Sequence, residues 1–308
     1  MNRVGSLVFI ASMAGSCFGQ VQKPCFAFLL KGDVSVSCDG QRTQVTRHGD
    51  IDQLAVSDDL LSLGFVTSRI TKRTAISADA AYTTTLIDLK SEKVKTRVGP
   101  NSVISTCGGI FWGIDETRQH SDTRNLVTGD QIATPPYNWF RCSADRRVVV
   151  GIAKDSGGAL YEGVPPQIKI APGGTRFGYT FNLSADGSKV VYATDSSPLC
   201  VFSSSGPTQC AAEEAMDTFR DVLSVNNTGE VLVATHTEQG CFYKSPSNFS
   251  PTRTPGAGQD ACLGIGYWKP GLKTIEIIEP LGRNPQWISP TTAKLMREWA
   301  AHEARDGK

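Results

Sequence analysis

The chain has 308 residues, with 31 Lys+Arg against 30 Asp+Glu and a sequence pI near 7.5, a balance that argues against a nucleic-acid binder relying on a strong positive field. Hydrophobic residues make up 40%, enough for a true core, which argues against general disorder. The 30 Gly and 16 Pro fit many short strands and turns and fall far below collagen or linker composition.

Residues 1–19 read as an export signal. Arg3 supplies the positive start, residues 4–14 are apolar or small, and Gly15, Ser16 and Gly19 are small residues before a cleavage that leaves Gln20 first. A competing reading is lipoprotein processing. Ala14-Gly15-Ser16-Cys17 loosely resembles a lipobox, with Ala14 where Leu is usual and a lipid anchor on Cys17. No later segment reaches about 18 consecutive apolar residues, so no transmembrane segment is expected and the mature chain reads as periplasmic, secreted or lipid-anchored.

Next come three strand-like runs, 25–30, 34–38 and 42–46, which look like three strands of a sheet lacking an innermost partner. A repeat follows. Residues 181–194 (FNLSADGSKVVYAT) are its clearest copy, 140–153 match closely, and 222–235 form a third. Weaker copies are 54–67 and 103–114. The anchoring serines are Ser57, Ser105, Ser143, Ser184 and Ser224, spaced by 48, 38, 41 and 40 residues. Each copy reads as a short strand ending at Ser, an Asp/Asn/Gly turn, and a β-branched return strand. Further strand-like pieces complete each unit. Small sheets repeating about every 40 residues escape water by stacking in a ring, which predicts a β-propeller. The competing reading is a β-sandwich with chance similarity.

Five copies plus the N-terminal strands predict six blades, with five or seven as alternatives. Gln286-Trp287-Ile288-Ser289 resembles the motif's first strand and would supply the missing N-terminal partner, closing the ring from both ends. Ser289-Pro290 reads as an N-cap and first helical position. Leu295, Met296 and Trp299 share one side of a C-terminal helix spanning 291–305. The predicted organisation is a signal peptide (1–19), a propeller (20–290), and a helix with tail (291–308).

The stretch 183–194 (LSADGSKVVYAT) resembles the repeat of TolB-type, WD-like propellers of bacterial exported proteins. The likeness is fair at 142–153 and degenerate around Ser57 and Ser105. Ala185 and Ala144 stand where that family favours Pro. The resemblance implies a fold and a compartment, not one activity.

Of nine cysteines, Cys17 is removed or lipidated, and an even eight remain in an exported chain, so up to four disulfides are expected. Cys25–Cys38, Cys200–Cys210 and Cys241–Cys262 each flank a hairpin-like turn or loop, and Cys107–Cys142 pair by elimination. No CxxC exists, and His48, His120, His236 and His302 lack zinc-ligand spacing to the cysteines, so no metal is expected.

No catalytic residue and no cofactor is assigned. The serine-hydrolase elbow, the P-loop and dinucleotide fingerprints and the sialidase Asp turn are all missing from the sequence. The loops entering the innermost strands carry His48, Asp50, Asn101, Tyr137, Asn138, Trp139, Arg176, Tyr179, Asp217, Arg220, Asn284 and Trp287. These are the candidate binding residues, facing one funnel. The alternative for each is that the aromatics pack between blades and the charges are solvated. The expected role is a non-catalytic binding or scaffolding module in the cell envelope, taking an envelope protein or glycan. The alternative is a secreted propeller hydrolase or lyase acting on a sugar or peptide-like substrate.

Overall fold

The computed structural model describes residues 24–73, 78–99, 104–115, 122–131, 136–153, 158–171, 180–194, 197–212, 219–236 and 263–306. Short apolar runs broken by turn residues build six small antiparallel sheets. The N-terminal sheet holds β1 (Phe26–Leu30), β2 (Asp33–Cys38) and β3 (Gln41–Gln44). The second holds β4 (Ile51–Val56), β5 (Ser62–Arg73), β6 (Ala78–Asp88) and β7 (Lys93–Gly99). The third holds β8 (Ser105–Cys107), β9 (Ile110–Asp115) and β10 (Asp122–Asn125), with a single Arg124–Gln131 bridge beyond β10.

The fourth sheet holds β11 (Tyr137–Cys142), β12 (Val149–Ala153), β13 (Leu160–Glu162) and β14 (Ile168–Ala171). The fifth holds β15 (Thr180–Leu183), β16 (Lys189–Thr194), β17 (Ser197–Ser203) and β18 (Gly206–Cys210). The sixth holds β19 (Phe219–Val225), β20 (Val231–His236), β21 (Leu263–Trp268) and β22 (Glu276–Glu279). The last strand, β23 (Arg283–Trp287), returns to pair antiparallel with β1, Phe26 opposite Trp287 and Leu29 opposite Arg283.

The innermost strands form a closed ring. β4 neighbours β8, then β11, β15, β19 and β23 follow in turn, and β23 meets β4 again. This is the six-bladed propeller that the repeat predicts, with one blade assembled from both chain ends. The core lies in the seams between blades, while rim strands β3, β7 and β18 are largely exposed. Helix α1 (Pro290–Asp306) packs on the closing blade. Ser289 caps it, since Thr292 N donates to Ser289 Oγ at 3.0 Å. Ala293, Met296 and Trp299 are buried beside Val34, Val36, Ile51 and Leu63, and Leu295 is partly buried there. No helix among the described residues is long and apolar enough to cross a membrane.

The repeated turn has one hydrogen-bond plan. Ser57, Ser143 and Ser184 each donate Oγ to the aspartate two residues on (2.5, 2.7 and 2.7 Å). The same hydroxyls accept the backbone N–H five residues on, at 2.9, 3.0 and 3.0 Å. The third residue after each serine has positive φ: Leu60 (61°), Arg146 (61°) and Gly187 (77°). These bonds satisfy a tight turn whose backbone groups are otherwise left without partners.

Two of the five predicted anchors differ. Ser224 lies within β19, and Asn226 anchors that turn instead, its Oδ1 accepting from Thr228 N (3.0 Å) and Glu230 N (2.9 Å). Ser105 is a buried strand residue, and Gly108 and Gly109, both with positive φ, make the turn of its blade. Replacing Ser184 by Ala leaves Lys189 N without its acceptor. Chemical denaturation should show a loss of about 2 kcal/mol, against under about 0.5 for Ser188→Ala, whose hydroxyl is exposed.

Three of the four predicted cysteine pairs are bonded. Cys25–Cys38, Cys107–Cys142 and Cys200–Cys210 have Cα–Cα separations of 4.1, 4.6 and 4.0 Å. The second joins the ends of β8 and β11, and so ties adjacent blades. Cys241–Cys262 lies outside the described residues. Among the described residues, Cys25, Cys38 and Asp39 group closely enough to hold a metal, but their sulfurs are bonded to each other.

Candidate functional site: the two ends of the central channel

Alternating strand direction gives the ring two different ends. The hairpins joining first to second and third to fourth strands lie at one, here the turn end. The connections between blades, and those from second to third strand, lie at the other, the loop end. Most predicted site residues belong to the loop end.

Those that the structure describes serve mainly as seams. Tyr137 is buried, its ring lies over Gly151, and its hydroxyl donates to the Gly163 carbonyl. Burial, with Glu162 nearby, pushes that phenol up to about 12. A Cβ on Gly151 would stand 2.5 Å from the Tyr137 ring, so the close approach requires glycine. Trp139 meets Trp112 of the third blade edge-on, with ring centroids 5.2 Å apart. Trp287 donates its backbone N–H to Ser224 Oγ (3.0 Å) and its indole N–H to the Ser224 carbonyl (3.1 Å), clasping the closing blade to the sixth. Asn284 Nδ2 donates to the Leu54 carbonyl at 3.3 Å, tying the closing blade to the second.

His48 and Asp50 are exposed on the approach to β4. The His48 ring leans on Phe65 with centroids 5.3 Å apart, and its backbone N–H donates to Asp33 at 2.6 Å. Asn138 and Arg220 lie in β11 and β19, and their side chains fall outside the described residues. Asn101, Arg176, Tyr179 and Asp217 also lie outside them.

The turn end holds a cluster that the sequence reading passed over. Asp58 stands where Ala144 and Ala185 stand in the sister turns, and Arg141 stands where Asn182 stands. Asp58 accepts from Thr106 Oγ1 (2.9 Å) and Gly109 N (3.3 Å), linking the second and third blades. Burial raises its pKa against those bonds and against the attraction of Arg141. Arg141 lies over the Trp139 ring, Cζ 5.5 Å from its centroid. Burial lowers its pKa to about 10, with Asp58 opposing, so it stays charged at neutral pH.

The neighbouring polar side chains of this layer are committed to seams. Asn182 Nδ2 donates to the Leu223 carbonyl at 2.9 Å, Arg146 holds the Gly108 carbonyl at 3.0 and 3.2 Å, and Thr106 holds Asp58. Arg141 Nη1 and Ser105 Oγ are buried with no hydrogen-bond partner among the described residues, as is Arg297 Nε on the helix. The comparison of Asp58 and Arg141 with their repeat equivalents was the available signal for both.

A separate rim cleft of about 350 Å³ lies between β7 and Leu126, Val127 and Thr128, lined also by Lys95 and Arg97, and contains none of the predicted residues.

No family model matches the chain, and no curated protein matches it in sequence. Solved structures resemble it at low identity. An acylaminoacyl peptidase of Pyrococcus horikoshii is 10% identical, with 89% of this chain and 44% of that one covered and a TM-score of 0.45. The β-propeller domain of the Trilobed protease from Pyrococcus furiosus is 11% identical, covering 74% and 71% with a TM-score of 0.38. Hydrazine synthase of Kuenenia stuttgartiensis is 13% identical, covering 70% and 62% with a TM-score of 0.37. The chain thus spans less than half the length of the peptidase it matches.

Proposed function

We infer that the chain is an exported, non-catalytic binding or scaffolding propeller of the TolB type, which meets an envelope protein or glycan at its loop end. Residues 1–19 act as the export leader, 20–290 form the propeller, and 291–308 the helix and tail. The observation that carries this reading is the contrast between the ends. At the turn end, the repeated turns are closed by their own side chains, and neighbouring turns are bonded to each other. Ala144 N donates to the Ala185 carbonyl at 2.7 Å, and Asp186 N to Asn227 at 3.2 Å. The long connections fall at the loop end, including 26 residues between β20 and β21 that carry three prolines. Variable surface connections on a rigid scaffold are where propellers place recognition. The three disulfides support an oxidising compartment.

The test has two arms. Fractionation with N-terminal sequencing should find the chain outside the cytoplasm, beginning at Gln20 or lipidated at Cys17. Capture from envelope extract, with Arg176→Ala/Arg220→Ala as the loop-end variant and Arg147→Ala as the turn-end control, should lose the partner only with the former. Equal capture by all three overturns the loop-end assignment.

A further inference from the structure

We propose that the outer edge of β7 is a docking strip for an extended acidic segment of a partner protein, which adds to the four-stranded second blade as a further strand. This site is separate from the loop end and does not depend on its role. β7 spans seven residues, whereas the rim strands β3, β14, β18 and β22 span four or five. It pairs with β6 along its whole length, from Lys93 opposite Asp88 to Gly99 opposite Tyr82, and no described strand covers its outer side. Alternate N–H and C=O groups therefore point outward, which is the template that strand addition uses. Beside it the third blade stops short. Beyond β10, a single Arg124–Gln131 bridge stands in place of a fourth strand among the described residues. The rim cleft of about 350 Å³ lies in that step, between β7 and the turn after β10.

Charge selects the occupant. Lys95 pairs with Leu86 and Arg97 with Thr84, so these cations, with Lys93, share the face on which Leu86 packs against Ile104, Phe111 and Leu126 of the third blade. Lys95 and Arg97 line the cleft. A Cβ built on Gly129 would stand 2.2 Å from Arg97 Nη1, so the guanidinium reaches across the cleft to the third blade's turn. The carboxylates at the start of β7 are already engaged. Asp88 faces Lys93 in register and accepts from Lys90 N and Ser91 N at 2.9 Å, while Glu92 meets His302 at 3.8 Å. No ion pair to Lys95 or Arg97 forms among the described residues. The opposite face of β7 carries Val94 and Val98, 52% and 71% exposed. Antiparallel pairing with a second copy of β7 would set cation against cation, which guards the edge against itself. An extended segment with carboxylates at alternate positions and apolar side chains between them satisfies both faces at once.

The experiment is fluorescence anisotropy of the full chain, at fixed ionic strength, with a labelled peptide of alternating valine and glutamate. It should bind, and a peptide of the same composition with its glutamates grouped at one end should bind at least about tenfold more weakly. N-methylation of the glutamates alone and of the valines alone gives two further probes. One of them should lose at least about tenfold, because only one set of residues turns its N–H groups toward β7. Lys95→Glu/Arg97→Glu should weaken the glutamate peptide by at least about tenfold and gain a valine–lysine peptide that the wild-type chain does not bind. Both side chains are exposed, so the variant keeps its fold, and the gain of the lysine peptide is a result that misfolding cannot imitate. Grouped and alternating peptides binding alike, or both methylated peptides binding as the parent does, would mean general attraction for polyanions and overturns the docking strip. Binding of dextran sulfate without binding of the alternating peptide makes the cleft a sulfated-glycan site and overturns it as well. So does unchanged peptide affinity in the charge-reversed variant.

Discussion

A chain ending at Gly282 will not fold to a cooperative unit. The truncation removes β23 and α1, and with β23 it removes the innermost strand of the closing blade. β1 then turns its ladder edge to the channel, and the ring loses its contact between β19 and β4. The Trp287 clasp onto Ser224 and the Asn284 clasp onto Leu54 go with it. Other blades cannot compensate, because each buries its faces only against neighbours. A chain ending at Ser289 retains β23 and loses only the helix. It uncovers the N-terminal core where Met296 (0% exposed) and Trp299 (6%) pack. Burial of those two side chains stabilises by about 5 kcal/mol, so this chain should fold with a markedly lower melting temperature. Calorimetry on the three chains checks the ranking. A cooperative transition in the Gly282 truncation, near the wild-type temperature, would falsify closure by the C-terminal strand.

The legible part of the fold was the part made by local chemistry. Ser184, Ser143 and Ser57 begin the same turn because each hydroxyl bridges an aspartate and a returning N–H, a device written within six consecutive residues. At Ser224 the spacing of 40 was a coincidence of phase. The Asn226 amide oxygen does the anchoring in a shorter turn, and Ser224 instead serves a seam 63 residues away along the chain. At Ser105 two glycines supply the turn by backbone freedom, so no side-chain signature was left to read. The closing strand and helix were legible because capping residues and an apolar side coincide at Ser289, Met296 and Trp299. The site was less so. Tyr137, Trp139 and Trp287 are aromatic and lie in or at the ends of innermost strands, where sequence cannot distinguish seam packing from recognition. Their seam contacts come from strands that are remote in sequence. Arg141 and Asp58 were visible only as departures from their repeat equivalents, and their attraction joins blades that only the fold brings together.

Trp112→Ala should cost about 4 kcal/mol, near the top of the range for a single core truncation. Trp112 is 1% exposed and fills the seam between the third and fourth blades. Its ring stacks on Phe140, with centroids 4.7 Å apart and planes 5° from parallel, and its indole N–H donates to the Thr106 carbonyl at 3.3 Å. The size of the loss depends on whether the seam can collapse into the space left behind. Here it cannot close freely, because the Cys107–Cys142 bond fixes β8 against β11 with Cα atoms 4.6 Å apart. Gly151 already allows the closest approach of Tyr137, so the fourth blade has no slack on that face. The cavity term is therefore retained almost in full. Coupling to the disulfide follows. In a Cys107→Ala/Cys142→Ala background, which is itself less stable by about 3 kcal/mol, the seam can relax and the further cost of Trp112→Ala should fall by about 1 kcal/mol. A double-mutant cycle by urea denaturation measures that difference directly. Strict additivity would mean that the bond does not hold the seam open and that the blades are positioned by packing alone.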